Sequence, residues 1–248
     1  MIFQRLIWVS VFVALLLGVV QTGIQQLQAV PIILAAEVYE DQKAEPLVSQ
    51  TATHSHEGHE DHAEAPAWAP ADGLERMGWT FVANSLHAFS MALLVFAVMG
   101  ASLWRGTTLR ALPLALVTAA AGWLVFHLWP SIGLHAEIPG MDAARLGSRQ
   151  GWWVLAAASA AGACAVAAGM RSPVRWLIAA LLLALPHLVG APHIAADPLA
   201  GFQGEAQATL RDLGTQFVWA TTWVSLSFWG CMGVATGLVF PRWVKPVL

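Results

Sequence analysis

The chain has 248 residues, of which 57% are hydrophobic and 11% are charged, and its formal net charge is −3. Soluble globular domains carry about 25% charged residues, so this composition excludes a water-soluble enzyme of ordinary type. The small net charge and the lack of a basic cluster argue against a nucleic-acid partner. We therefore predict an integral membrane protein without enzymatic activity.

Six apolar stretches are long enough to cross a bilayer, because a hydrocarbon core of about 30 Å needs roughly 20 helical residues. They are rich in Leu, Ala and Val and lack the alternation of a membrane barrel. We predict an all-α polytopic bundle, a single transmembrane domain over residues 1–248, with five spans if the first is a cleaved signal. The predicted spans are 6–30, 78–103, 111–131, 151–170, 174–190 and 216–240.

Tryptophans lie near the ends of these stretches, where the membrane interface favours them. On this basis we expect the following side chains to anchor the bundle: Trp8, Trp79, Trp104, Trp129, Trp152, Trp176 and Trp243.

The charged residues predict an orientation. Basic residues are more frequent in the short segments on one side, so the positive-inside rule places both termini in the cytoplasm. All 15 acidic residues fall in the loops on the opposite side. We expect that outer face to attract cations.

The loop after the first span, residues 38–76, is predicted to be flexible and extracytoplasmic, since it is polar and lacks apolar periodicity. Imidazoles and carboxylates alternate in it, a combination that suits Co²⁺, Ni²⁺, Cu²⁺ and Zn²⁺. The alternative is a solvated tract that binds metal only incidentally. The candidate ligands are His54, His56, His59 and His62.

Polar side chains occur inside the spans. In the second span Thr80, Asn84, His87 and Met91 share one helical face. This face could line a translocation path, or its polar groups could bond neighbouring helices. His127, near the end of the third span, is open to the same two interpretations.

The fifth span ends in a sequence that contains Pro186, His187 and His193. A proline frees backbone carbonyls one turn earlier, and a helix that ends there directs partial negative charge at a cation. A simple kinked exit is the alternative. We predict an outer vestibule of metal ligands formed by Glu37, Glu40, His135, Glu137, His187 and His193.

The sixth span carries Gly230, Gly233 and Gly237 on one stripe. Small residues at this spacing are typical of close helix packing in membranes.

Several short blocks follow one another in a characteristic order. They are Pro31–Glu40, Gly73–Arg76, Pro139–Gln150 and Pro186–Pro192. In this order the chain resembles the CbtA family of cobalt transporter proteins over nearly its whole length. That family is usually described with five spans, so our count of six departs from it.

The resemblance implies one component of a cobalt uptake system in the bacterial inner membrane, linked to vitamin B12 synthesis. It also implies a small single-span partner with a His-rich tail. No permanently bound cofactor is expected, and Co²⁺ would be the transported ion. Two alternatives remain: a metal receptor or assembly factor that does not transport, and a redox protein with haem bound by His87, His127 or His187.

Overall fold

The computed structural model describes the backbone of residues 2–51 and 70–247, and all regular secondary structure in these ranges is helical. Five helices are long and apolar enough to cross a membrane, and a further apolar helix is shorter. The protein is therefore a polytopic helical membrane protein, as predicted. Its helices are α1 (Ile2–Gln28), α2 (Val30–Thr51), α3 (Leu74–Trp104), α4 (Ala111–Trp123), α5 (Trp129–Gly133), α6 (Leu146–Gly169), α7 (Val174–Val189) and α8 (Gly204–Val239).

Helices α1, α3, α4 and α8 form the centre of the bundle. Lipid tails are as apolar as the helices, so close van der Waals packing rather than water exclusion holds such helices together. Small side chains four residues apart, Ala88 with Ala92 and Ala115 with Ala119, are fully or almost fully buried at these contacts. The core is completed by larger residues, including Phe96, Met99 and Phe240.

Helices α6 and α7 form a hairpin beside this centre. The alanine-rich face of α6, with Ala157 and Ala160 buried, packs against Val125 in the segment between α4 and α5. That segment, Leu124–Leu128, is a π-helical turn, so α4, the turn and α5 together form one crossing.

Helix α7 matches its predicted span 174–190 to within one residue but is short, and α8 begins earlier than predicted. Helix α7 has 16 residues, a length of about 24 Å, because the chain turns at Gly190 with a positive φ of 84°. Helix α8 begins at Gly204 rather than near residue 216. Hydropathy detects only its membrane part, whereas Leu210, in the polar beginning of the helix, is fully buried.

The predicted flexible segment 38–76 is partly helical. Helix α2 continues from Val30 to Thr51 almost without a break after α1, in a stretch that is rich in helix-forming Ala, Glu, Gln and Lys. Thus the beginning of the segment extends a helix rather than an irregular loop.

The two ends of the bundle carry opposite charges. Every acidic side chain among the described residues lies at the end formed by α2, the turn before α3 and its first residues, loops 134–145 and 190–203, and the start of α8. The described side chains at the opposite end include basic but no acidic ones. We call these the acidic end and the basic end.

Most tryptophans near the helix ends are exposed, as interface anchors should be, but Trp152 is 5% exposed. Its indole N–H donates to the carbonyl oxygen of Pro186 at 2.9 Å. The prediction that Trp152 anchors the bundle in the interface is wrong, because the indole faces α7 rather than lipid. Trp129 is half-buried and likewise donates to the carbonyl oxygen of Leu183, at 3.0 Å.

Candidate functional site

An apolar cluster holds the loops of the acidic end in place. Ala36 of α2, Ile138 of one loop, Leu199 and Phe202 of another, and Leu210 of α8 are buried together. The loops are also joined directly, since the N–H of Asp142 donates to the carbonyl oxygen of Pro198 at 2.9 Å. Polar side chains around this cluster therefore have fixed positions.

A pocket of about 610 Å³ opens beside the cluster, between the α4–α5 crossing, α6 and α8. Its polar lining includes two of the predicted site residues, His127 and His135. The structure thus brings together two imidazoles from a span and from the loop that follows it. The lining also contains Ser131, Arg149, Gln150, Thr221 and Thr222.

The wall that carries His127 is the π-helical turn Leu124–Leu128. The N–H of Trp129 bonds to the carbonyl oxygen of Leu124, five residues back, and Pro130 has no N–H to continue the regular α-helical pattern. Turns of this kind inside helices occur frequently at functional sites. Here the turn holds His127 at the pocket.

The hydrogen bonds of Thr222 determine how His127 can act. The Thr222 hydroxyl donates to the carbonyl oxygen of Val218 at 2.8 Å, and His127 Nε2 lies 3.4 Å from the same hydroxyl oxygen. A hydroxyl has one proton to donate, so Thr222 accepts the N–H of the imidazole. Nδ1 of His127 then keeps its lone pair, the form of imidazole that binds metal ions.

The two candidate carboxylates that are half-buried are both engaged by arginines. Glu37 Oε1 and Oε2 lie 2.6 and 3.1 Å from the two terminal nitrogens of Arg76. Glu137 lies 2.5 Å from Arg149, which lines the pocket. A metal ion could take either carboxylate only after the arginine has moved away.

A smaller pocket of about 390 Å³ adjoins the first and shares His135 with it. Its acidic residue, Asp197, accepts the backbone N–H of Leu199 and the guanidinium of Arg211. The hydrogen bond from Leu199, followed by that from Arg211, lowers the pKa of Asp197 below its ordinary value. The carboxylate of Asp197 is therefore ionised and already bonded to Leu199 and Arg211.

His187 lies among tryptophans at the end of α7. Its ring is edge-on to Trp129 and Trp152, with centroid distances of 5.2 and 5.8 Å, and its Nε2 is buried without a hydrogen-bond partner. Helix α7 continues past Pro186 to Val189. Two carbonyl oxygens near the end of α7, those of Leu183 and Pro186, accept the indole N–H groups of Trp129 and Trp152.

The remaining vestibule residues lie at the surface of the acidic end. Glu40, His135 and His193 are exposed. The four loop histidines, His54, His56, His59 and His62, lie outside the described residues. Within residues 3–40 and 70–246, no three His, Cys, Asp or Glu side chains are close enough to hold one metal ion.

The polar face of α3 makes different contacts along its length. Asn84 donates to Thr22 and Gln25 of α1, at 3.0 and 2.8 Å, as the packing interpretation expects. His87 is exposed and its ring lies 5.0 Å from that of Phe228. Met91 packs against the central core.

The sequence did not single out Thr222 or Arg149, although both shape the main pocket. Two adjacent threonines, Thr221 and Thr222, inside an apolar span were a usable signal for a polar lining. Nothing in the local sequence indicates that Arg149 meets Glu137.

The comparisons with known proteins agree with this architecture. The family model described as "Probable cobalt transporter subunit (CbtA)" matches residues 3–241. No curated protein and no solved structure matches the chain. The matched range includes all of α3 to α8 and both pockets. On the basis of this nearly full-length match, the chain belongs to the CbtA family of cobalt transporter subunits.

Proposed function

We propose that this protein takes up divalent cobalt, with its acidic end outside the cell and the main pocket as the entry site. The observation that carries the proposal is the pairing of His127 and His135 in one pocket at the acidic end. Surface carboxylates raise the local concentration of a dication, and neutral imidazole is a suitable ligand for Co²⁺.

In this proposal capture and entry are separate steps. The loop histidines His54, His56, His59 and His62 gather Co²⁺ from the surroundings, and the exposed groups of Glu40 and His193 hold it at the surface. His135, which lines both pockets, then passes the ion to Nδ1 of His127. Glu37 and Glu137 bind the ion only after their ion pairs with arginines have broken. His187 binds it only after it has left the two tryptophan rings.

The membrane potential is sufficient to drive this movement. Transfer of a dication into a negative interior gains about 4.6 kcal/mol per 100 mV. For uptake in this direction, we propose that the protein lies in the bacterial inner membrane with both termini in the cytoplasm and the His-rich loop in the periplasm. The word "subunit" in the family description supports a partner, which we propose is the small His-rich membrane protein of a system linked to vitamin B12 synthesis.

The test is radioactive Co²⁺ uptake by cells that express the chain, with and without that partner. We expect His127→Ala together with His135→Ala to raise the Co²⁺ concentration for half-maximal uptake about tenfold, as loss of a metal ligand or its support does. Ser90→Ala is the matched control, since Ser90 is exposed and bonds only within α3. Uptake equal to that of vector-only cells would refute the proposal.

A second function, a metal receptor that does not transport, is favoured by the core. Apolar residues such as Phe96, Met99 and Met232 fill the half of the bundle towards the basic end. An assay in reconstituted vesicles distinguishes the transporter from the receptor. Co²⁺ flux through vesicles with the purified chain and its partner supports transport, whereas binding without flux supports a receptor.

A further inference from the structure

The structure brings Arg105 and Arg175 to adjacent backbone carbonyls at the basic end, and the exposed Arg171 follows those carbonyls directly in the chain. Arg105 follows α3, Arg171 lies in the turn between α6 and α7, and Arg175 is in the first turn of α7. Arg105 Nη2 lies 3.5 Å from the carbonyl oxygen of Gly169. Arg175 Nη1 lies 3.0 Å from that of Met170, the next residue, so the two guanidinium groups are close neighbours.

Among the described side chains, no carboxylate pairs with these arginines. In the part of the chain with described side chains, the basic end has no acidic residue. The backbone carbonyls engage one nitrogen of each guanidinium, and Nε of Arg175 is buried without a hydrogen-bond partner. An arginine has five N–H donors, so Arg105 and Arg175 each keep terminal N–H groups that can donate to an anion.

The surroundings place this cluster at the level of lipid headgroups. Trp104, adjacent to Arg105, is 94% exposed, and Trp176, beside Arg175, is 60% exposed. Exposed tryptophans at the ends of spans mark the membrane interface. The Arg175 guanidinium also lies 4.8 Å from the Trp176 ring centre. This cation–π contact orients the guanidinium at the boundary between lipid and water.

We propose that Arg105, Arg171 and Arg175 bind the phosphate of an anionic phospholipid headgroup at the basic end. The lipid phosphate accepts hydrogen bonds from the guanidinium groups in the paired geometry that arginine favours. Its acyl chains lie along the exposed apolar surface beside Trp176. This site is independent of the direction and substrate of transport.

The test uses the full chain, reconstituted in phosphatidylcholine vesicles with or without phosphatidylglycerol. Lipid that stays bound after mild detergent extraction is counted by native mass spectrometry. We expect wild type to retain phosphatidylglycerol preferentially, and Arg105→Gln with Arg175→Gln to reduce that retention at least about fivefold. Arg5→Gln with Arg242→Gln, which removes the same charge elsewhere at the basic end, should retain it within about twofold of wild type.

A further variant distinguishes loss of lipid binding from misfolding. Arg171 is exposed, and Arg171→Gln should reduce retention in a protein that elutes and unfolds like wild type. Equal losses in the Arg105/Arg175 and Arg5/Arg242 variants would show a diffuse charge effect and overturn the proposal, as would unchanged retention in both the Arg105/Arg175 and Arg171 variants. Displacement of the retained lipid by millimolar inorganic phosphate, at constant ionic strength, would assign the site to free phosphate instead.

Discussion

Glu37 and Arg76 connect α2 to α3 through a two-point ion pair, although they are 39 positions apart in the chain. Both side chains are about 30% exposed. The pair is therefore partly protected from water. Without Glu37, Arg76 would keep only its ion pair with the exposed Asp72, at 3.3 Å. Its main role in the observed structure is to fix the start of α2 against α3.

We predict that Glu37→Gln and Arg76→Gln each lower the thermal stability of the purified protein, and that the double variant is more stable than the sum of the two effects implies. The expected coupling is about 0.5–1 kcal/mol, because the pair remains partly solvated. Thermal unfolding of all four proteins in detergent measures this coupling. Glu75→Gln, an exposed site one residue before Arg76, is the control, and additive effects of the two variants would contradict the prediction.

The sequence identified side chains that are suitable metal ligands, but it did not identify the side chains that they contact in the structure. Glu37 and Glu137 were expected to be metal ligands because carboxylates near imidazoles suit such a site. Which carboxylate meets an arginine depends on how α2, α3 and α6 pack, and no local pattern encodes that contact. His127 and His135 do share a pocket, since the span that carries one ends shortly before the other.

Among the helices, α8 shows most clearly how small residues determine packing. A Cβ atom on Gly237 would lie 2.9 Å from Leu112 Cα, and one on Gly233 would lie 2.9 Å from Ala119 Cβ. Both glycines allow the backbones of α4 and α8 to approach closely. Gly230, the third member of the predicted stripe, has nothing within 4 Å of such an atom.

The glycine stripe therefore gives a prediction with an internal control. Gly233→Ala and Gly237→Ala should each destabilise the protein by about 1–3 kcal/mol, because the added methyl group forces the helices apart. Gly230→Ala should leave the stability unchanged or raise it by up to about 1 kcal/mol, because alanine is the better helix former and its methyl group meets nothing. Unfolding in increasing denaturing detergent, followed by tryptophan fluorescence, measures both. Equal losses at Gly230 and Gly237 would contradict the prediction, because helix propensity alone makes Gly→Ala favourable at both positions.

Hydropathy located the helices and their C-terminal ends to within two residues, whereas several helices begin earlier than predicted. Apolar length alone located all five long crossings and α7. The early start of α8 depends on a buried Leu210, and the end of α7 depends on the conformation of Gly190. The π turn before Pro130 could be suspected from the proline, but a proline alone does not determine which carbonyl oxygen the N–H of Trp129 bonds.

At the scale of the whole molecule, the separation of charge between the two ends predicts how the protein lies in a cell membrane. We expect the acidic end to face outwards because the basic end follows the positive-inside rule. The test replaces Cys164 and Cys231 by alanine and introduces Ala71→Cys at the acidic end or Leu109→Cys at the basic end. Both sites are exposed.

In intact cells, a membrane-impermeant maleimide should label Ala71→Cys. It should label Leu109→Cys only after the membrane has been permeabilised. The reverse pattern would place the acidic end inside the cell, and uptake through the main pocket would then lose its electrostatic basis. Export or sensing would be the remaining interpretations.

The apolar core near the basic end has a consequence for the living cell. A bare dication in such surroundings would lose its hydration at a large cost, because no described charged side chain is buried there. The packed core therefore opposes the passage of a bare ion through this half of the bundle. If the protein transports cobalt as proposed, α1, α3, α4 and α8 must separate for the ion to cross, and a cell would lose no ion gradient through the copies that are packed as observed.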